Sequence, residues 1–169
     1  MSAAGADDPQ LNRPQAGFGY RVSKTYTHSI GLSCCFRQWR AQSHCRFLHG
    51  YALQFRVEFE TVEGLDDRHW VVDFGALKSF RGWLEEMFDH RTLVAQDDPQ
   101  LALFRQLHEQ GLIQLREVPA SSCEAFARMV FDHLQQWLPE NGYAPERVRL
   151  RQVEVREHDG NGASYGRLG

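Results

Sequence analysis

No stretch of the 169-residue chain stays apolar for the ~20 residues that a membrane-spanning helix needs. The first residues, MSAAGADDPQLNRPQAG, lack the charged start and apolar core of a secretory signal, and residues 1–18 read as a flexible polar tail. A basic patch is missing too. The net charge is −3, with basic side chains scattered among acids, so the footprint of a nucleic-acid binder is absent. Cysteine is scarce: Cys34, Cys35, Cys45 and Cys123 follow no regular spacing. That excludes a disulfide framework and suits a reducing, cytoplasmic setting, where a special cysteine is catalytic or metal-binding. There is no internal repeat and no linker, so residues 19–169 read as one domain.

What is present is the material of one core: 42% hydrophobic and 24% charged residues. GYRVSKTYTHSI predicts a first strand ending near His28. GLSCCFRQWRAQSHCRF follows as an irregular loop, long for a connection, and long loops in compact domains are often functional. YALQFRVEFE is the clearest strand, with Leu53, Phe55, Val57 and Phe59 on one side and Gln54, Arg56 and Glu58 on the other. After a turn, WVVDF reads as its hairpin partner. Helical spacing then places Leu77, Phe80, Leu84, Met87 and Phe88 on one stripe. A shorter helix, PQLALFRQLHEQ, stops at Gly111, and LIQLREV is a strand. Ser121 or Ser122 can cap a helix whose stripe is Phe126, Val130, Phe131, Leu134 and Trp137. In the last strand, Val148 and Leu150 are out of phase with Val153 and Val155, which predicts a β-bulge near Arg151 and Gln152. Helices set apart from antiparallel strands give an α+β class.

Polar residues with chemical potential cluster in SHCRFLHGY. His49 and Tyr51, two apart at a strand entry, leave the same face, and His28 closes the preceding strand. Converging imidazoles can hold zinc, but a catalytic zinc takes three protein ligands and only two histidines are in view; an ordinary hydrogen-bonded strand-end histidine fits the spacing as well. Cys45 could be a thiolate base or nucleophile, or a buried inert cysteine. Asp89 could orient His90 for proton transfer, although neighbours on a helix do not face each other. Glu157 could grip paired N–H groups of a heterocycle, or be a surface strand residue.

Taken in order, these pieces resemble the 6-pyruvoyltetrahydropterin synthase family, most closely its bacterial branch, the 6-carboxytetrahydropterin synthases. The carriers are His28, CRFLHGY from Cys45, VVDFGALK from Val71, Asp89-His90, SSCE from Ser121, and Glu157. The resemblance implies a T-fold: a four-stranded antiparallel sheet with helices on one face, three subunits closing into a barrel, and two trimers stacking as a homohexamer. It implies a lyase acting on 7,8-dihydroneopterin triphosphate, on the queuosine route when the product is 6-carboxy-5,6,7,8-tetrahydropterin. Zn2+ on His28, His49 and the residue at Tyr51 would grip the substrate hydroxyls. Cys45 would be the base, Asp89 and His90 a proton relay from a neighbouring subunit, Glu157 the pterin anchor, and Ser122 a ring contact. Tyr51 departs from the pattern, which has histidine there. A phenolate can ligate zinc, His44 can supply the third ligand instead, or the metal is lost and a pterin-binding paralogue remains. A synthase with another pterin product is the nearer alternative.

Overall fold

The computed structural model describes residues 12–61 and 63–168. Most of the expected tail, residues 1–11, lies outside them; within 12–18, the Asn12 carbonyl accepts from Leu65 N–H at 2.9 Å. In chain order come β1 (Arg21–Tyr26), β2 (Ser33–Phe36), β3 (His49–Ala52) and β4 (Gln54–Thr61), then α1 (Lys78–Phe88), β5 (Arg91–Ala95) and α2 (Leu101–Glu109). They are followed by β6 (Leu115–Val118), α3 (Cys123–Glu140), β7 (Val148–His158) and β8 (Asn161–Gly166). No helix among the described residues is long and apolar enough to cross a membrane.

The strands form two four-stranded sheets, and the larger, β1-β4-β7-β8, is antiparallel throughout. β4 is its centre. Leu53, just before it, and Phe55, Val57 and Phe59 are each 0% exposed. Burying each such side chain contributes roughly 1.5–3 kcal/mol. They meet α1 and α3 on one face: Phe55 lies 4.7 Å from Phe88 of α1, ring centre to ring centre. The opposite face carries charges, including an Arg151 guanidinium between Glu58 and Glu60 at 3.4 and 3.3 Å. Arg151 is the extra residue of the expected bulge: Glu58 faces Gln152, and the next residue, Phe59, faces Leu150. The slip keeps both halves of β7 apolar toward the core. The stripes of α1 and α3 are buried as expected, with Met87 only half-buried.

Four elements differ from expectation. The supposed loop after His28 contains β2, whose Cys34 and Phe36 point inward. WVVDF is not a strand. Both edges of β4 are already occupied by β1 and β7, so no edge was open to it. Val71 and Val72 are instead buried side by side, and the Asp66 carboxylate accepts from the N–H groups of Arg68 and Trp70 to shape the turn. Finally, β5 and β8 were not expected. β2, β3, β5 and β6 make a second sheet, order β3-β2-β5-β6, with β2–β5 and β5–β6 parallel. It stands beside the first and carries His49 and Tyr51 of the candidate site on β3.

Candidate functional site

β3 leaves the small sheet and enters β4 of the large one, and the cluster sits at this junction. Gly50 is favoured by proximity: a Cβ there would stand only 3.0 Å from the Cys34 carbonyl oxygen on β2. On either side of it, His49 and Tyr51 share a face, as the spacing predicts, with ring centres 5.5 Å apart. Both rest against Phe36, at 5.2 and 6.1 Å.

The imidazoles are held alike. Nδ1–H of His49 donates to the Phe47 carbonyl at 2.7 Å, and Nδ1–H of His28 donates to the Ala52 carbonyl. A carbonyl only accepts, so each neutral ring presents a bare Nε2 lone pair. This backbone bond on the far nitrogen is the arrangement typical of metal-ligating histidines. Nε2 of His28 is buried and has no hydrogen-bond partner. An orphaned buried acceptor of this kind costs stability unless something fills it. Among the described residues, no three of His, Cys, Asp and Glu stand close enough to hold a metal.

Glu157 reaches the same neighbourhood by way of a second bulge. Arg156 faces Gly162 and His158 faces Asn161, which leaves Glu157 as the unpaired residue on β7. Bulges re-aim side chains and are common beside active sites. Desolvation, followed by the charges of Glu157, Cys45 and Cys123, pushes the Tyr51 phenol above its ordinary value. Burial and the carboxylate of Glu157 push the Cys123 thiol up to about 12, and the two groups share a hydrogen bond. Cys45 is exposed, on a single-turn 3-10 helix, His44–Arg46, at the tip of the β2–β3 connection.

Asp89 and His90 end α1. His90 takes a left-handed φ of 54°, a strained choice for a non-glycine residue. That kink lets neighbours meet: Asp89 Oδ1 lies 2.8 Å from His90 Nδ1. The pair borders the small sheet: burial, then Cys35, Cys123 and Asp89, raise the Cys34 thiol. His90 itself lines a hollow of about 420 Å³ with Cys35, Thr92 and Gln114. No hydrogen bond or ion pair joins Asp89 or His90 to Cys45 among the described residues. Ser122 caps α3, accepting from Ala125 N–H at 3.2 Å, and opens into a groove of about 700 Å³ with Arg128 and Tyr165. A single chain thus gathers His49, Tyr51, Cys45 and Glu157, with the Asp89–His90 pair and Ser122 on separate walls.

Two residues escaped the sequence reading. Cys123, given no role from the sequence, interacts with Glu157 from the first turn of α3, and the His158 ring lies 6.2 Å from Tyr51. Position next to Ser122 and Glu157 was the only signal for either.

A family model described as 6-pyruvoyl tetrahydropterin synthase matches residues 25–167. The chain belongs to that family. A protein of Aquifex aeolicus named 6-carboxy-5,6,7,8-tetrahydropterin synthase is 28% identical over 151 residues, covering 87% of this chain and 90% of that one. A Rickettsia conorii protein of the same name is 35% identical over 78 residues, 44% of this chain and 54% of its own. In the Rickettsia bellii relative the match spans 44% of its length. Among solved structures, an uncharacterised Wolinella succinogenes protein superposes with a TM-score of 0.74 at 19% identity, covering 90% of this chain and all 100% of its own. Plasmodium falciparum 6-pyruvoyl tetrahydropterin synthase superposes at 0.59, with 15% identity and coverage of 88% and 98%. The large antiparallel sheet with helices on one face is the shared T-fold core.

Proposed function

We propose that the protein is a lyase converting 7,8-dihydroneopterin triphosphate into 6-carboxy-5,6,7,8-tetrahydropterin, on the route to 7-deazaguanine compounds such as queuosine. One observation carries the reading: a bulge leaves Glu157 unpaired on β7, within electrostatic reach of Tyr51, while backbone bonds at Nδ1 leave Nε2 free on both His28 and His49. The names of the Aquifex and Rickettsia relatives support the carboxy product.

Glu157 accepts paired N–H bonds from the guanidine-like edge of the pterin, as a carboxylate does with any such fork. Ser122 and the start of α3 flank the ring. Nε2 of His28 and Nε2 of His49 would hold zinc, with Tyr51 or His44 as third ligand. A zinc ion held there would supply Lewis-acid polarisation of the hydroxyls of the substrate side chain. The Cys45 thiolate then removes a proton from that side chain, and the hydrogen-bonded Asp89–His90 pair carries protons to and from the reacting atoms. The family resemblance puts this pair at the site of a neighbouring subunit in a homohexamer of two stacked barrels, which fits the lack of any hydrogen bond or ion pair from it to Cys45 among the described residues. A reducing compartment keeps the thiol in its working form.

The raised Tyr51 phenol favours a second reading, a metal-free pterin binder, since a neutral phenol is a poor ligand. Incubation with dihydroneopterin triphosphate, metal analysis and mass spectrometry of the product decide between them. The lyase reading expects the carboxy product, and a Cys45→Ala variant that binds pterin without turning it over. A pyruvoyl product would move the protein to the other branch, and near-normal turnover by Cys45→Ala would remove the base.

A further inference from the structure

The Cys45 loop poses a mechanical question. Residues 42–48 are all exposed, so burial does not fix their position. A base must nevertheless stand within about 3 Å of the proton that it takes. What holds the loop is polar. Gln38 N–H donates to the Cys45 carbonyl at 2.8 Å, across the neck of the loop. Arg37, next to Gln38, forms a two-pronged bond with Asp98: Nε to Oδ2 at 2.8 Å and a terminal nitrogen to Oδ1 at 2.6 Å. Asp98 is 5% exposed, at the turn between β5 and α2. Its neighbour Asp97 accepts from Trp39 Nε1 at 3.0 Å and pairs with Arg40 at 2.8 Å. On the other side, the Ser121 hydroxyl, 4% exposed, donates to the Arg37 carbonyl at 2.6 Å. Ser121 directly precedes Ser122, the cap of α3.

We propose that Asp98, Arg37 and Ser121 form a positioning bracket for the reaction, locking the Cys45 loop to the start of α3 so that the thiol and the pterin-holding wall keep one spacing. The inference rests on Cys45 being the base. The bracket acts through the position of the loop. Its Arg37 fork fixes direction as well as distance, because guanidinium and carboxylate are both planar. The fork anchors the near end of the loop, and the Gln38–Cys45 bond passes that anchor to the far end. The Ser121 bond ties the same peptide to α3. Misplacing a catalytic group by about 1 Å can cost about 100-fold in rate, so a loop held only at its neck depends on that hold.

Asp98→Asn tests the bracket, with Ser121→Ala as a milder second variant should the first fail to fold. Both are assayed on dihydroneopterin triphosphate beside Cys45→Ala, and backbone amide exchange is followed by mass spectrometry over residues 37–46. The expected result is a kcat lowered about 10- to 100-fold with KM within about threefold, and faster exchange of the loop amides. A role confined to stability would lower the melting temperature and leave kcat alone. Unchanged loop exchange, or faster exchange with full kcat, overturns the bracket. An inactive Cys45→Ala beside a fully active Asp98→Asn overturns the bracket while sparing the base. Near-normal turnover by Cys45→Ala removes the base, and the positioning role falls with it.

Discussion

Single residues carry the chemistry, and two substitutions test it most directly. Glu157→Gln keeps shape and removes charge. It should cost roughly 1.5–3 kcal/mol of pterin affinity, about 10- to 150-fold, by calorimetric titration, with the melting temperature nearly unchanged. Unaltered affinity would take Glu157 out of the site. At Tyr51 the issue is protonation. A phenol already pushed upward by burial and by Glu157 resists the loss of its proton, so it binds zinc less well than an imidazole would. Tyr51→His should therefore raise zinc affinity, read by competition with a chelator. Tyr51→Phe lowers it if the phenolate is a ligand and leaves it alone if His44 takes that place. Protein that stays metal-free through dialysis against zinc yet turns over substrate would sink the zinc reading.

At the scale of elements, α1 and α3 are joined by a titratable stack. The His133 ring lies 3.8 Å from Trp83, tilted by only 5°, with Phe80 behind it at 6.2 Å. Burial lowers the His133 pKa, and Glu140 opposes this with a smaller upward pull. Since the folded value lies below the unfolded one of about 6.5, the unfolded chain takes up the proton first as pH falls. The stabilising contribution is thus complete above about pH 6.5 and is lost on acidification through and below it. Calorimetry from pH 8 to pH 5 should show the melting temperature of the wild type falling faster below that point than that of His133→Phe. Parallel curves would mean that the stack does not govern the acid limb. The helices and β4 were legible because period alone specifies them: one face buried, one wet. β2 and β5 were not. Ser33–Phe36 is too short to show a period, and Arg91–Ala95 has Thr92, Leu93, Val94 and Ala95 buried in succession. A strand covered on both faces has no alternation to read.

For the whole molecule, the large sheet ends in β1 on one side and β8 on the other. Sheet edges offer unpaired backbone groups to another chain. Barrel closure by three copies and stacking of two barrels should give a particle six times the 19.5 kDa chain. Native mass spectrometry reads this directly. A stable monomer with full activity would contradict both the hexamer and the assignment of Asp89 and His90 to a neighbour's site.

The sequence by itself determined the local physics: the alternation of β4, the stripes of α1 and α3, a cap at Ser121 or Ser122, and a bulge near Arg151 and Gln152. Each is set by neighbours within a few residues, so spacing suffices. Its ordered motifs also pointed to the right family. Tertiary structure alone decided which polar residues meet. The bulge at Glu157 exists only because β8 pairs with β7, and Cys123 reaches Glu157 only because α3 packs on that strand. The kink at His90 follows from its N–H donating to the Ser33 carbonyl, and the fork between Arg37 and Asp98 spans 61 residues of chain. Such contacts depend on the closure of long loops, whose outcome is set by the packing of every element at once.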